Sequence, residues 1–320
     1  MKFVDPKNDV AFKKIFGDEN KKRILISFLN NILDYVGTNK EIIDITIENP
    51  FQAPRLEGLK YSILDIKAAD KRGIHYIIEM QVIHVEGMDK RVLYYISKAY
   101  SQQLDKSEDY PKLNQVIFIG FLDFIFFKNN PHYASRHLIL DEKTKEHHFK
   151  DFELYFIELP KFNKTLDQLA DVKDKWIYFV KNAGDMKVIP EEMKDPGEIY
   201  EAFEVADQYT WSREELDAYD AKGIFIADQR QGYLFAQKTG YAEGHAEGHA
   251  VGHAVGHAKG HAVGHAEGHA EGHAEGHAEG HTEGSRKKAL EVARKLKEKG
   301  MDTDFISETT GLEKKVILTL

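Results

Sequence analysis

Residues 61–82 read YSILDIKAADKRGIHYIIEMQV. Two apolar runs, alternating in polarity, flank the polar tip Lys71-Arg72-Gly73, a pattern that predicts a β-hairpin whose three-residue loop places Gly73 in the left-handed region. If Asp70 faces Ile74 across the turn, Asp65 stands opposite Glu79, with Cβ atoms roughly 4.5–5.5 Å apart. Gln81, two residues beyond Glu79, shares that face because strand side chains alternate. A register slip of one residue would separate the two carboxylates. Facing carboxylates within apolar strands repel, and one is driven neutral unless a cation intervenes. Mg²⁺ selects oxygen ligands, and a divalent ion so held can activate water and stabilise charge on a phosphate. The plainer reading is a surface hairpin whose acids are solvated or paired with Lys67.

Working outward, Val10, Phe12, Ile15 and Phe16 recur at helical spacing, and Ile24, Leu25, Phe28, Leu29 and Ile32 do so again. Asn8 or Asp9 is placed to cap the first of these helices and Gly17 to end it. Strands are expected over Ile42–Ile47, Tyr61–Ala69 and Ile74–Val82, and a helix over Asp89–Gln103. The run Gln115–Phe127 reads as a buried strand, with further strands at His137–Leu140 and Phe152–Leu159. Helical patterns follow from Leu166 to Val180, from Glu198 to Gln208, and from Arg213 to about Gln237, expected to extend or cap the core. The order predicts an α/β fold, a central mixed sheet flanked by helices.

From Ala242 to His281 a four-residue unit, Ala then Glu, Val or Lys then Gly-His, repeats ten times. The expected organisation is a core over 1–165, a helical extension over 166–241, the repeat over 242–284 and a basic helical tail over 285–320. Histidines at i and i+4 of a helix can chelate, but Gly every fourth residue costs roughly 1 kcal/mol per position relative to Ala. The repeat therefore reads as a spacer or a self-associating helix, with incidental affinity for Ni²⁺ or Zn²⁺. In the tail, Ser285 to Gly300 is expected to form a capped amphipathic helix, followed by a helix from Asp302 through Ile306 and another after the Thr310-Gly311 turn. The spacing is like a helix-turn-helix, whose last helix would offer Lys314 and Lys315 to nucleic acid. A small packing or dimerisation unit is the competing reading of the tail.

The net charge of −9 is unevenly spread: Met1–Gly120 carries 18 Lys+Arg against 17 Asp+Glu, and Ser285–Leu320 carries 9 against 6. Bulk acidity therefore excludes no nucleic-acid partner. No cysteine is present, which excludes disulfides and Cys-ligated zinc. No run of eighteen apolar residues suggests a membrane span, and residues 1–14 lack a secretory apolar region, so a cytoplasmic location is expected.

The segments Leu64-Asp65-Ile66 and Ile78-Glu79-Met80-Gln81 resemble the active-site hairpin of the PD-(D/E)XK nuclease superfamily, with its restriction-endonuclease-like core. More narrowly, Asn8–Gly17, Arg91–Tyr95 with Tyr100–Leu104, and Asn114–Phe127 resemble the Rpn family of recombination-promoting nucleases, also described as transposases. The resemblance implies Asp65 and Glu79 as ligands of Mg²⁺ (or Mn²⁺ or Ca²⁺), with the Met80 carbonyl completing the site. It places Gln81 where the wider superfamily often has Lys, Asp9 as a further acid, and Lys13 and Arg91 as phosphate contacts. The implied activity is metal-dependent DNA endonuclease cleavage that promotes recombination. The alternatives are a nuclease-fold protein that binds DNA and assembles without cutting, and a His-rich metal buffer. Homo-oligomerisation through the repeat or the tail is a further expectation.

Overall fold

The hairpin forms in the expected register. Ile66 pairs with Ile78, Lys67 with Ile77, Ala68 with Tyr76 and Ala69 with His75. Asp70 N–H donates to Ile74 O at 3.0 Å, and Gly73 takes a φ of +80°, where a Cβ would be strained. In the computed structural model residues 1–52, 62–104 and 108–320 are described. Tyr61, the first residue of the expected strand, lies outside them.

In chain order, helix α1 (Asp9–Phe16) and helix α2 (Lys22–Ile32) precede strand β1 (Ile45–Glu48), strand β2 (Phe51–Gln52), strand β3 (Ser62–Ile63) and the hairpin strands β4 (Ile66–Asp70) and β5 (His75–Gln81). Helix α3 (Met88–Ser101) leads to β6 (Val116–Leu122), β7 (Ala134–Leu138) and β8 (Phe152–Glu158). Helices α4 (Val172–Asn182), α5 (Gly197–Ala206), α6 (Arg213–Glu298), α7 (Thr303–Thr310) and α8 (Lys314–Leu318) complete the chain. Six strands form one mixed sheet in the order β1-β4-β5-β6-β8-β7, with β5, β6 and β8 mutually parallel and the other pairs antiparallel. All seven residues of β6 are buried, as a central parallel strand covered on both faces requires.

One difference from the sequence reading shapes the site. The stretch expected as a single strand over Tyr61–Ala69 is broken among its described residues. Ser62–Ile63 pairs with β2 in a separate two-stranded sheet, and the six-stranded sheet is joined only at Ile66. Leu64 packs against α3, while Ile66 packs in the opposite layer with α1 and α2. In an unbroken strand residues two apart share a face. The flip centres on Asp65, where Leu64 N–H is held by Pro50 O and Asp65 N–H by the Glu79 carboxylate.

The chain divides into two compact units, Met1–Leu234 and Phe235–Leu320. In the first, α1, α2, α4 and α5 cover one face of the sheet. Phe16 and Phe28 meet at 4.4 Å between ring centroids, Trp176 stands edge-on to Phe28 at 5.4 Å, and Phe179 meets Phe203 at 4.7 Å. The helices expected to extend or cap the core thus place fully buried aromatics inside it. On the other face, Val92, Ile96 and Ala99 of α3 pack with Ile77, Phe118 and Phe156. Asn8, rather than Asp9, caps α1: its Oδ1 accepts from Val10 N–H at 3.0 Å. Gly17 ends that helix so tightly that a Cβ would lie 2.6 Å from Lys13 O.

Helix α6 starts with a capping box, since Ser212 and Glu215 exchange backbone-to-side-chain bonds of 2.8 and 3.2 Å. The helix then runs without a break through the repeat to Glu298. The separate capped helix expected from Ser285 is absent: Ser285 lies within a continuous α-helix and caps nothing. Every residue from 242 to 281 is exposed, and no repeat glycine would bring a Cβ within 4 Å of another group. Helix there rests on backbone hydrogen bonds and on i,i+4 contacts between successive histidine rings, so Gly260→Ala should strengthen it by about 1 kcal/mol. An unchanged far-ultraviolet helical signal during a thermal melt would contradict that.

In the second unit, Asp302 caps α7 through Asp304 and Phe305 N–H groups, both at 2.9 Å. This helix continues past the expected Ile306 to Thr310 and stops at Gly311, φ +69°. Ala293, Ile306 and Ile317 form its small buried core.

Candidate active site

Asp65 and Glu79 meet at the end of the β4–β5 ladder. Asp65 N–H donates to Glu79 Oε1 at 3.0 Å, and Asp65 Oδ2 accepts from Met80 N–H at 2.9 Å. Each acid is thus tied to the backbone of the opposing strand, the contact that the break at Asp65 permits. The observed bond to Met80 runs through its amide N–H. Glu79 is 4% exposed. Gln81 Nε2 donates to Glu79 Oε2 at 3.1 Å.

Helix α1 supplies two further groups. Lys13 Nζ lies 3.3 Å from Asp65 Oδ1, so it faces a carboxylate in this structure. Asp9, freed from capping by Asn8, pairs through Oδ2 with Lys222 Nζ of α6 at 2.9 Å. Its other oxygen, Oδ1, is buried with no hydrogen-bond partner among the described residues. Asp9, Asp65, Met80, Gln81 and Lys222 line one cavity of about 280 Å³ within the first unit. Arg91 on α3 sits over the Tyr95 ring at 5.7 Å, and its positive charge favours ionisation of Glu79.

Burial pushes the Asp65 carboxyl above its ordinary range, opposed by the Met80 amide and by Lys13. Glu79 is pushed up as well, first by burial and then by the Asp65 charge. These shifts are the signature of two acids that cannot both ionise without a counter-charge.

Does the donor set fit a divalent cation? It is all oxygen, as a hard ion requires. Among the described residues Asp9 Oδ1 is a buried carboxylate oxygen lacking a partner, and Asp65 Oδ1 has the Lys13 ammonium beside it at 3.3 Å. Among the described residues no group of three or more His, Asp or Glu stands ready as a cation cage. The chemistry of the donors fits, and Glu79 would join them by releasing Gln81.

The sequence reading brought Asp65, Glu79 and Gln81 together and named Asp9, Lys13 and Arg91 nearby. Lys222 had no signal in the sequence, because only the folding of α6 brings it to α1. Lys314 and Lys315 belong to the second unit, where Lys314 pairs with Asp304 at 2.6 Å.

Residues 6–233 match the family of PD-(D/E)XK nuclease family transposases, and the chain belongs to that family. No curated protein and no solved structure gives a significant match. The matched span contains the six-stranded sheet, both helical layers and the start of α6. Among the described residues no helix is long and apolar enough to cross a membrane.

Proposed function

We propose that the chain is a divalent-metal-dependent DNA endonuclease of the Rpn type, acting in recombination associated with mobile elements. The observation that carries this reading is the buried Asp65–Glu79 pair, with Asp9 lining the same cavity as Asp65 and keeping a buried carboxylate oxygen unpartnered among the described residues. Asp65, Asp9 and Glu79, with the Met80 carbonyl, would hold Mg²⁺, Mn²⁺ or Ca²⁺. The ion would supply Lewis-acid stabilisation of charge on a scissile phosphate and ease deprotonation of an attacking water.

The protein groups divide the remaining work. Gln81, whose amide donates to Glu79 in this structure and would be released when Glu79 turns to the ion, keeps a carbonyl oxygen able to accept from the attacking water. Glutamine carries no charge, so the cations of this site come from helices instead: Lys13 from α1 and Lys222 from α6. Both ammonium groups are partly exposed and able to turn from a carboxylate to a phosphate oxygen. Lys222→Met should therefore slow cleavage at least about tenfold without lowering the melting temperature. An unchanged rate would leave Lys222 as a counter-ion only.

The deciding experiment is nicking or linearisation of supercoiled plasmid by the full chain, titrated with Mg²⁺, Mn²⁺ and Ca²⁺ and repeated with Asp65→Asn. Cleavage that needs metal and vanishes in the variant supports the endonuclease. Binding of DNA with no cleavage under any metal would replace it with the non-cutting assembly protein.

A further inference from the structure

A second groove adjoins the carboxylate cavity. Val82 and Ile83, the residues immediately after Gln81, line both. The groove encloses about 610 Å³ within the first unit, and His84, Phe124, Phe126 and Tyr233 are among its walls. The rings are tilted against one another rather than stacked face to face. His84 lies 5.1 Å from Phe124 at 55° and 5.6 Å from Phe126 at 54°, and Phe124 meets Phe126 edge-on at 84°. Phe126 also packs on Phe127 at 4.8 Å and Phe156 at 6.1 Å, so the part-buried Phe124 and Phe126 back the wall and His84 and Tyr233 are its open rings. His84 is exposed and Tyr233 is 49% exposed, so both rings are open to solvent.

Charge narrows the choice of occupant. The only acid among the lining residues is Asp123, and Arg230 already neutralises it at 2.9 Å. Lys128 leaves the groove net positive. An aromatic, positively charged trough suits a flat ring joined to an anion, which is what a nucleotide is. A base inside a duplex presents only its edges, because its faces are covered by the neighbouring pairs. Stacking on these rings thus requires a nucleotide that is unpaired.

We propose that this groove receives an unpaired nucleotide of the DNA substrate, stacked on the His84–Phe124–Phe126–Tyr233 wall with its phosphate toward Lys128. The protein then favours single-stranded or locally unpaired DNA over perfect duplex. Any of the four bases satisfies the stacking, so the groove selects strand state and not sequence. This inference rests on the endonuclease reading for its choice of polymer, but its test does not depend on cleavage.

The test uses the full chain in EDTA, so that no strand is cut. The probes are a thymidine oligonucleotide bearing one 2-aminopurine, the same strand in a perfect duplex, and a duplex with that base opposite an abasic site. The expected result is tighter binding of the single strand and the abasic duplex than of the perfect duplex, with 2-aminopurine fluorescence quenched by stacking. His84→Ala and Tyr233→Ala change exposed side chains and should keep the fold, checked by melting. Each should weaken single-strand binding about tenfold and relieve the quench. Equal affinity for all three probes without quenching overturns the proposal, as does wild-type binding by both variants. Loss of plasmid cleavage in Asp65→Asn is read separately with metal present, so failure of the groove and failure of the nuclease are distinguishable.

Discussion

Asp65→Asn should reduce metal-dependent DNA cleavage by about 1000-fold or more, while the melting temperature stays close to that of the parent chain. The substitution keeps the shape of the side chain and an oxygen to accept the Met80 N–H, so the bond that closes the end of the hairpin survives. What it removes is the negative charge at the meeting point of Lys13, Glu79 and the Asp9 cavity wall. A catalytic divalent ion contributes several kcal/mol to stabilising the charge of the transition state, and each ~1.4 kcal/mol is tenfold in rate. If Asp65 is the principal ligand, as proposed, its loss forfeits most of that. Initial nicking rates under saturating plasmid would measure the effect. A variant that cuts as fast as the parent would remove Asp65 from the site altogether.

Without metal, the protein should lose stability as pH rises between the ordinary glutamate value of 4.5 and about 8. Burial of Glu79, and secondly the neighbouring Asp65 charge, favour its protonated form in the folded state. Asp65 is displaced in the same direction. Over that interval the native state keeps a proton that the unfolded chain has released. Raising the pH therefore favours unfolding, by up to about 1.4 kcal/mol per unit for one such group. Glu48 behaves oppositely: its hydrogen bond from His75 helps hold its carboxyl down to about 2, so its contribution disappears only in more acidic solution. Melting curves in EDTA across the interval should show the decline. Glu79→Gln should flatten it, and a saturating divalent cation should do the same by taking the place of the proton. A profile that is flat in the parent chain would mean that Glu79 is ionised in the folded protein without help.

Local physics explains why so much of the candidate site was legible. Polarity alternation over Ile66–Asp70 and His75–Gln81, with a glycine where the loop needs positive φ, leaves one register that buries the apolar face. That register brings Asp65, one residue before the first ladder pair, to the end of the strand that carries Glu79, and the break at Asp65 completes the contact. The α1 and α2 stripes were equally readable, since Phe12, Phe16, Phe28 and Leu29 recur at the helical period and are all fully or almost fully buried. Cap preference left two options before α1, and the structure resolved them in favour of Asn8, whose Nδ2 also donates to Tyr219 O on α6 at 3.0 Å. That long-range bond is invisible in the segment itself.

The break at Asp65 was not legible, because alternation continues through it in the letters while the fold switches layers between Leu64 and Ile66. What decides it is the competition of two helical layers for neighbouring side chains, together with the Glu79 carboxylate that captures the Asp65 amide. The aromatics of α4 and α5 looked like a covering extension, yet they complete the core, since only tertiary packing tells which apolar face meets which. The unbroken α6 likewise follows from cooperativity: glycine weakens a helix but does not stop one already nucleated at a capped start. The sequence by itself determined the hairpin and, on the condition that Asp70 faces Ile74, the pair of acids that it aligns, because those depend on side-chain period and turn geometry over some twenty residues. Only the tertiary structure decided which cations face the acids of the site. Lys13 reaches Asp65 from α1 and Lys222 reaches Asp9 from α6, two helices far apart in the chain, and long-range packing, unlike alternation, leaves no periodic trace in the residues that it brings together.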